Sequence, residues 1–460
     1  MSFVEELRWR GMLHDIMPGT EELLNKGMVS GYIGFDPTAD SLHVGSLAQI
    51  MTLIHFQRAG HKPFALVGGA TGMVGDPSGK SAERNLLSED VLQRNLDGIQ
   101  KQLEKFLDFD CGTNSAQMVN NYDWFKNYTF LNFIRDVGKH ITVNYMMAKD
   151  SVKNRISGDT GMSFTEFTYQ LVQGYDFYYL WKHNNCALQM GGSDQWGNIV
   201  TGTELIRRKD AGEAYALTTQ LIKKSDGTKF GKTEGGNIWL DPTKTSPSLF
   251  YRFWRNSSDE DAKTFIKIFT LLNQVEINSL IEEHDSMPHL WKLQKRLAQE
   301  VTEMVHGKGV LDMILLEINF TNDPNYKWQD LFKIPERDLI KMFISNEGAI
   351  KTSVFFSGNG FQEIFSDDII NFLFELKSYD AELESFEKLF ESKGEIRRLI
   401  QNGGISINKT KLNLESKLTD FDRHSDKYLF VQKGKNKSVF VDFCDDVSVE
   451  MQKIRAFLNS

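Results

Sequence analysis

Short apolar runs alternate with longer amphipathic stretches along the first 240 residues, and glycine-rich turns separate them. YIGF (32–35), FALVGG (64–69) and CALQMGG (186–192) are buried-type runs that predict strands, each followed by a turn. Helical spacing dominates the intervening segments. Strands that alternate with helices and end in glycine-rich turns are typical of a parallel α/β sheet with a ligand crevice at its carboxyl edge.

The pattern divides the chain into three predicted domains. Residues 1–240 form an α/β domain with a helical insertion at about 125–185. Residues 246–322 are helical in pattern and lack glycine-rich turns. A linker is predicted near residue 322, and residues 345–460 form a third domain. The stretch 322–392 has no pattern that we can interpret.

Composition limits the possible classes of protein. A chain of 460 residues holds about three domains. Its 40% hydrophobic and 12% aromatic content excludes a disordered or collagen-like protein. The net charge of −9 excludes a uniformly basic nucleic-acid binder. Residues 393–440, however, carry eleven Lys or Arg and five Asp or Glu. This local excess of positive charge indicates either an anionic partner or a solvated basic surface.

Three features predict a soluble cytoplasmic protein. Cys111, Cys186 and Cys444 are far apart, so neither a disulfide framework nor a cysteine-based zinc site is supported. The N-terminus lacks the basic start and apolar run of a signal peptide. Apolar stretches are far shorter than the roughly 20 residues of a membrane helix.

The glycine-rich segment GDPSGKS (75–81) resembles a Walker A phosphate loop but has the wrong spacing. GxxxxGK[ST] requires a glycine where this chain has Val74. The dinucleotide fingerprint GxGxxG is also absent from the first strand–helix unit. A P-loop NTPase and a nicotinamide enzyme are therefore both disfavoured.

DPTADSLHVGS (36–46) lies between a predicted strand and a predicted helix. A helix N-terminus offers unpaired N–H groups and a positive dipole end, which suit a phosphate. His43 would add a donor there, and Gly45 would permit a close approach of the ligand. The alternative is an ordinary helix start capped by Asp40 or Ser41.

Two further segments could carry chemistry. KKSDGTKFGKT (223–233) places four lysines among glycine and hydroxyl residues, which is typical of a mobile loop that stabilises developing negative charge or of a solvated hairpin. Tyr169, Gln173 and Asp176 recur at i, i+4 and i+7, so they share one face of a predicted helix. That face could line a polar ligand pocket or point into water.

Taken together, these segments resemble the class I aminoacyl-tRNA synthetases, and among them the bacterial tyrosyl type. HVGS is similar to the HIGH element of that family, and KFGKT lies in a loop (224–234) similar to its KMSKS loop. GGSDQWGNI, VNYMMAKDSV and SFTEFTYQLVQGYDF also resemble tyrosyl enzyme segments. KGEIRRLIQNGGISIN (393–408) resembles a small RNA-binding motif of the same enzymes.

The resemblance implies a fold and an activity. The fold would be α/β: a Rossmann-like parallel-sheet catalytic domain with a helical insertion, then a helical domain on the anticodon-arm side, then a small α+β RNA-binding domain. The activity would be a tyrosine–tRNA ligase, which forms tyrosyl-adenylate and pyrophosphate from ATP and L-tyrosine and then charges tRNA(Tyr). Mg²⁺ would accompany ATP without a dedicated protein metal site. A homodimer is implied, with the insertion at its interface.

The resemblance also implies roles for individual residues. Residues that would bind tyrosine are Tyr32, Asp76, Tyr169, Gln173, Asp176 and Gln195. Residues that would bind ATP are Asp36, Gly45, Ser46, Asp194 and Lys232. Catalytic residues that would stabilise the phosphates are Thr38, His43, Lys80, Arg84, Lys229, Lys232 and Thr233. Residues that would contact tRNA are Arg397, Arg398, Lys409 and Lys411.

Three alternatives remain open from the sequence. The first is a tryptophanyl enzyme of the same subclass, although Tyr32 and Asp176 suit a phenol better than an indole. The second is an RNA-binding relative without activity, against which His43 and the loop lysines argue. The third is a generic nucleotidyltransferase, which would lack the terminal RNA-binding motif.

Ser46 departs from the family pattern, because the last position of the HIGH element is usually His or Asn. Serine is shorter but still offers a hydroxyl, so we expect it to contact the nucleotide directly or through water. Replacement of Ser46 by Ala should therefore slow adenylate formation, measured as ATP–pyrophosphate exchange. An unchanged exchange rate would remove Ser46 from the site.

Overall fold

The computed structural model describes eleven segments of the chain: 1–76, 88–156, 161–228, 230–233, 236–322, 327–334, 350–357, 368–380, 385–424, 428–434 and 437–444. These separate into two compact units. One comprises residues 1–245 and 253–305, and the other comprises residues 246–252 and 306–460. The three predicted domains remain a prediction. Within the described segments, no helix combines the length and the apolar character needed to cross a membrane.

A six-stranded sheet lies at the centre of the first unit. Its strands are β1 (Leu13–Ile16), β2 (Ser30–Phe35), β3 (Lys62–Val67), β4 (Gln117–Asn120), β5 (Cys186–Gly192) and β6 (Tyr215–Thr219). They lie in the order β1-β6-β5-β2-β3-β4, with β2 to β6 parallel and β1 antiparallel to β6. The predicted Rossmann-like parallel sheet is thereby confirmed.

The order of strands reverses next to β2. The chain first places β3 and β4 on one side of β2 and later places β5 and β6 on its other side. The loops that leave the carboxyl ends of β2 and β5 therefore diverge. In open parallel sheets the crevice at such a reversal is the place where ligands bind.

Helices cover this sheet, and several are short. The helices up to β5 are α1 (Phe3–Trp9), α2 (Thr20–Lys26), α3 (Val44–Arg58), α4 (Thr71–Val74), α5 (Glu89–Leu103), α6 (Tyr122–Phe125), α7 (Phe130–Asp136), α8 (Val143–Met147), α9 (Asp150–Ile156) and α10 (Phe164–Asn184). The predicted helical insertion thus consists of α7, α8, α9 and α10 with the end of α6. Helix α11 (Trp196–Asp210) packs along α10.

The buried faces explain two of these helices. Most of α3 is buried, including Leu47, Ile50, Met51 and Phe56, which accounts for its nearly continuous apolar sequence. Helix α10 begins with a capping box, in which Ser163 and Glu166 exchange side-chain and backbone hydrogen bonds. Its aromatic residues join the hydrophobic core beside β5.

More helices complete the first unit. A hairpin of β7 (Lys232–Thr233) and β8 (Gly236–Asn237) precedes α12 (Pro247–Arg255), which the division between units crosses. Helices α13 (Asp259–Ile268), α14 (Gln274–Ser286) and α15 (Lys292–His306) follow. The buried Arg10 of α1 donates hydrogen bonds to the carbonyls of Lys267, Thr270 and Leu272, and so ties α1 to the end of α13.

The second unit contains a small sheet, in agreement with the α+β domain that the resemblance implies. Its remaining elements are α16 (Lys308–Asn322), β9 (Ile350–Ser357), α17 (Ile369–Glu375), β10 (Lys377–Asp380), β11 (Ser385–Lys388), α18 (Lys393–Gln401), β12 (Ile405–Ile407), β13 (Thr410–Lys411), β14 (Tyr428–Lys433) and β15 (Lys437–Cys444). Five strands lie in the order β13-β12-β14-β15-β9, antiparallel except for the parallel pair β15 and β9. Strands β10 and β11 form a separate hairpin.

The stretch that the sequence left without interpretation, 322–392, supplies part of this second unit. Strand β9 extends the sheet by pairing with β15. Helix α17 places Phe372 and Leu373 in the same core as Ile396 and Ile400 of α18. A second cluster joins Phe320 of α16 to aromatic residues that include Trp328, Tyr428 and Phe430.

Candidate active site

A cavity of about 290 Å³ opens at the carboxyl ends of β2 and β5. It lies where the strand order reverses, as the topology of a parallel sheet leads one to expect. Its lining mixes backbone glycines, polar side chains and a few apolar ones. The lining residues are Tyr32, Ile33, Gly34, Asp36, Thr38, Gly45, Gln49, Leu66, Thr71, Asp76, Tyr169, Gln173, Asp176, Gln189, Met190, Gly191, Gly192, Asp194, Gln195 and Leu221.

A buried carboxylate and a buried hydroxyl both line the cavity. Asp176 of α10 and Tyr32 of β2 are each 1% exposed. Asn121 Nδ2 donates to Asp176 Oδ2 at 3.0 Å, and Trp124 Nε1 donates to Oδ1 at 2.9 Å. The hydroxyl of Tyr32 has no hydrogen-bond partner among the described residues. A ligand with its own hydroxyl could satisfy both groups.

Burial controls the ionisation of this pair. Removal from water raises the pKa of Asp176 to about 8, although the hydrogen bonds from Asn121 and Trp124 act in the opposite direction. Burial also raises the pKa of Tyr32 well above its usual value, and the Asp176 carboxylate adds to that shift. Tyr32 therefore stays a neutral phenol, while Asp176 changes its charge in the range where enzymes work.

A second polar group lies in the same lining, where Asp36 accepts two hydrogen bonds. Tyr169 Oη donates to Asp36 Oδ2 at 2.8 Å, and Thr71 Oγ1 donates to Oδ1 at 2.7 Å. Burial, followed by the carboxylates of Asp36 and Asp76, raises the pKa of Tyr169 well above its usual value. The predicted nucleotide contact of Asp36 therefore involves a carboxylate that already accepts two protein donors.

The third polar group follows β5. Gln195 Nε2 donates to Asp76 Oδ2 at 2.8 Å, and Asn198 Nδ2 donates to Gln195 Oε1 at 3.2 Å. Burial raises the pKa of the neighbouring Asp194. Asp76 and Asp36 give this part of the lining a negative character that suits a cationic ligand group such as an ammonium.

The N-terminus of α3 faces this region through Gly45. His43 is the N-cap of the helix, and its Nδ1 accepts a hydrogen bond from Gly45 N at 3.0 Å. This bond assigns the ring proton of a neutral His43 to Nε2, which can donate to a ligand. The alternative caps, Asp40 and Ser41, are therefore wrong: Asp40 pairs with Lys244 at 2.8 Å, and Ser41 Oγ donates to its neighbour's carbonyl.

The lysine-rich segment 223–233 is anchored at several points. Ser225 N donates to Asp261 Oδ1 of α13 at 2.7 Å. Phe230 is buried among aromatic rings of α12 and α13 that include Trp254 and Phe269. Gly231 has φ of 80°, and a Cβ atom there would lie 2.8 Å from Val44 Cγ2. Glycine therefore lets the segment lie directly against the start of α3.

The chain that follows the segment reinforces this contact. Val44 N donates to Ile238 O, and Leu240 N donates to Leu42 O, both at 2.9 Å. Residues 238–240 thus run alongside residues 42–44. The rings of His43 and Trp239 meet edge to face with centroids 6.0 Å apart. The element similar to HIGH is thus bonded to the chain that follows the element similar to KMSKS, and Ile238 N in turn donates to the carbonyl of Gly231 within that element.

Ten of the predicted ligand-binding residues line the cavity together. They are Tyr32, Asp36, Thr38, Gly45, Asp76, Tyr169, Gln173, Asp176, Asp194 and Gln195. His43 and Ser46 lie at the start of α3, both partly exposed, and Lys232 is exposed on β7. Lys80, Arg84 and Lys229 lie outside the described residues, as does the side chain of Thr233. Their roles remain predictions.

The predicted tRNA contacts lie in the second unit. Arg397 and Arg398 are exposed on α18, and Lys411 is exposed on β13. Lys409 is different, because its Nζ lies 4.9 Å from the ring centroid of Phe320. The ammonium group of Lys409, which the resemblance assigns to a tRNA phosphate, is therefore engaged in a cation–π contact within the protein.

Sequence reasoning missed Thr71, Asn121 and Trp124, which donate hydrogen bonds to the carboxylates of Asp36 and Asp176. Asn121 donates to both Thr71 and Asp176, and so links the two polar groups of the cavity. A usable signal existed for Asn121, since NNYDW (120–124) places polar residues directly after strand β4. Polar residues at a parallel strand's carboxyl end are candidates for the ligand crevice.

Comparison with known proteins agrees with this geometry. The family model of class I tRNA synthetases (W and Y) matches residues 24–319. The model of the tyrosine–tRNA ligase SYY-like C-terminal domain matches residues 382–441. The fold is therefore that of a class I tRNA synthetase of the tryptophan and tyrosine group.

Individual relatives narrow this assignment. A tyrosine–tRNA ligase of Porphyromonas gingivalis is 56% identical over 95% of this chain and 98% of its own length. One of Flavobacterium johnsoniae is 52% identical over 96% and 99%. The crystal structure of a C-terminally truncated mitochondrial tyrosyl-tRNA synthetase of Aspergillus nidulans matches with a TM-score of 0.62 and 32% identity, over 69% of this chain and 93% of that one. The chain belongs to the tyrosine–tRNA ligases.

The raised pKa of Asp176 generates a pH prediction. A phenol that donates to Asp176 needs the ionised carboxylate, so binding of L-tyrosine should strengthen as the pH rises from 6.5 and should level off above about 8. Replacement of Trp124 by Phe keeps the stacking on Tyr179 but removes a donor to the carboxylate. We expect affinity to fall about tenfold and the midpoint to move to higher pH.

Equilibrium dialysis with labelled L-tyrosine would measure both effects. Trp181→Phe is the matched control, because Trp181 Nε1 donates to the carbonyl of Glu213 and not to the cavity. Tyrosine affinity that is constant over this pH range would show that the carboxylate does not titrate there.

Proposed function

We propose that this chain activates L-tyrosine with ATP, releases pyrophosphate, and transfers the tyrosyl group to the 3′-terminal ribose of tRNA(Tyr). The observation that carries this proposal is the buried pair of Tyr32 and Asp176 in the lining of the cavity. A substrate phenol placed there accepts a hydrogen bond from Tyr32 and donates one to Asp176. Phenylalanine would leave two buried polar groups without partners, which is how such a site rejects it.

The remaining polar groups suit the rest of an amino acid. Asp76, Tyr169 and Gln173 line the cavity together, and an anion with two neutral oxygen acceptors suits the α-ammonium group. Gln195 Nε2 donates one N–H to Asp76 and carries a second N–H, so we place the substrate carboxylate beside Gln195. This arrangement directs the carboxylate towards Gly45 and Thr38, where the phosphates of ATP would lie.

Activation requires positioning more than covalent chemistry. A carboxylate oxygen of tyrosine attacks the α-phosphorus of ATP, and the bond from that phosphorus to the bridging oxygen breaks, so that pyrophosphate leaves with the electron pair. His43 Nε2, Thr38 and Lys232 would donate to the phosphates as negative charge builds on the leaving group. Mg²⁺ enters with ATP as part of the substrate. Asp194 would accept hydrogen bonds from the nucleotide ribose.

Transfer follows at the same site. A hydroxyl of the terminal ribose attacks the tyrosyl carbonyl of the adenylate, and AMP leaves. The tRNA would be held elsewhere by phosphate contacts, for which Arg397 and Arg398 on the exposed face of α18 are the best-placed candidates. Contacts of this kind position an RNA without reading its sequence.

We further propose that the protein is a cytoplasmic homodimer. The insertion exposes a group of large apolar side chains, with Leu131 76% exposed. The others in this group are Phe130, Ile134, Val143 and Phe164. Several large apolar side chains exposed on one insertion are typical of a protein interface. Sedimentation analysis tests the oligomeric state, and we expect twice the mass of one chain. The cytoplasmic location is proposed because tRNA charging supplies protein synthesis there.

ATP–pyrophosphate exchange with each of the twenty amino acids tests the activation step. We expect exchange with tyrosine alone, because only a phenol pairs with both Tyr32 and Asp176. Exchange with tryptophan would keep the fold and overturn the assignment of the pocket. If no amino acid supports exchange, the protein does not activate amino acids, and an RNA-binding function with an inactive site becomes the remaining interpretation.

Charge reversal on α18 tests the RNA step. The double substitution Arg397→Glu with Arg398→Glu should raise KM for tRNA at least about tenfold and flatten its salt dependence, because two phosphate contacts are lost. Exchange without tRNA should be unchanged. A matched reversal at exposed lysines of the α/β domain, Lys26→Glu with Lys105→Glu, should leave charging unaffected. Equal effects of both pairs would indicate general electrostatics instead of a binding surface.

A further inference from the structure

One face of α5 holds the backbone of the segment that joins β2 to α3. Asn95 Nδ2 donates to the carbonyl of Pro37 at 2.9 Å. Gln102 Oε1 accepts from Leu42 N at 2.8 Å, and its Nε2 donates to Ser41 Oγ at 2.9 Å. Both side chains are buried, with 5% and 8% exposure. The helix therefore bonds the segment near each of its ends.

Between these two side chains the helix touches the segment itself. A Cβ atom built at Gly98 would lie 2.0 Å from the carbonyl oxygen of Asp40, so any side chain there must displace that backbone. Asn95, Gly98 and Gln102 recur at i, i+3 and i+7, which places them in one stripe along the helix. Glycine costs a helix stability, and here the close approach accounts for it.

We propose that Asn95, Gly98 and Gln102 are positioning residues for amino-acid activation. Their stripe fixes the backbone from Pro37 to Leu42, and this backbone carries Thr38 and leads directly to His43. The inference rests on the proposed roles of Thr38 and His43 at the phosphates. Neither Asn95 nor Gln102 lines the cavity, so both act through the segment and not on the substrate.

The opposite side of the segment explains why its position matters. Leu42 O accepts from Leu240 N, which belongs to the chain that follows the lysine-rich segment. The backbone at Leu42 is thus bonded to α5 through its N–H group and to residues 238–240 through its carbonyl. A shift of α5 would move His43 relative to Lys232, and both groups are assigned to the same phosphates.

Substitutions on α5 in the full-length protein test this proposal. Gln102→Met keeps length and helix propensity but removes both hydrogen bonds, and Gly98→Ala gives a better helix former that collides with Asp40 O. Gln102→Glu keeps an acceptor for Leu42 N and should recover part of the loss. Gln100→Met is the matched control, because Gln100 is exposed on the same helix. The readouts are kcat and both KM values of ATP–pyrophosphate exchange, with melting temperature.

We expect Gln102→Met and Gly98→Ala to lower kcat about ten- to a hundredfold, the size of effect that small misplacements of catalytic groups produce. KM for tyrosine should stay within about twofold of wild type, because the tyrosine-binding groups lie on other elements. Gln102→Glu should fall between Gln102→Met and wild type. Gln100→Met should match wild type.

Two results would overturn the proposal. Rates equal to those of Gln100→Met would show that the contacts of α5 do not matter for activation. A parallel loss of kcat, tyrosine affinity and melting temperature would show a merely structural role. If Gln102→Met does not fold, Gly98→Ala and Gln102→Glu decide by the same criteria. Absence of exchange in the wild-type protein would instead refute the proposed function, and this proposal with it.

Discussion

A carboxylate without access to water constrains much of the first unit. Asp176 is buried in α10, and an ionised group in that position is costly unless donors surround it. Asn121 and Trp124, which follow β4, donate two hydrogen bonds to this carboxylate. A substrate phenol would donate a third and would accept from the hydroxyl of Tyr32 on β2, which has no partner among the described residues. The contacts that bring α10 to Tyr32 of β2 and to the chain after β4 are therefore also the contacts that assemble the pocket. The proposed specificity for a phenol therefore depends on the packing that places Asp176 near Tyr32.

Local patterns in the sequence predicted much of this arrangement correctly. The strands, the glycine-rich turns and the helical face of Tyr169, Gln173 and Asp176 depend on spacing over a few residues, and the structure places all three side chains in one cavity. The parallel sheet followed from strand–helix alternation. Assignment of substrate roles came from resemblance and not from these patterns, because a polar stripe on a helix is equally compatible with water.

Features that depend on distant pairs were not predictable from the sequence. From the sequence alone, Trp124 is indistinguishable from an ordinary core aromatic residue. Its indole N–H gains a role only because the fold places Asp176 of α10 beside it. The role of Gln102 appears only when α5 lies against residues 37–42. Strand β9 gave no interpretable pattern because its partner, β15, lies at the other end of the second unit. The histidine N-cap of α3 was not foreseen, because the usual capping side chains are those of Asp and Ser, and here a histidine nitrogen takes the place of their oxygen.

The pairing of β9 with β15 bears on how the protein emerges from the ribosome. The residues of the first unit end at 305, so that unit can close while the rest of the chain is still being made. The sheet of the second unit cannot close until its last strand has been made, because β9, the first of its strands to be synthesised, pairs with β15, the last. A stalled or truncated chain would activate its amino acid without a stable platform for RNA, and the late, non-local closure is the step most exposed to aggregation.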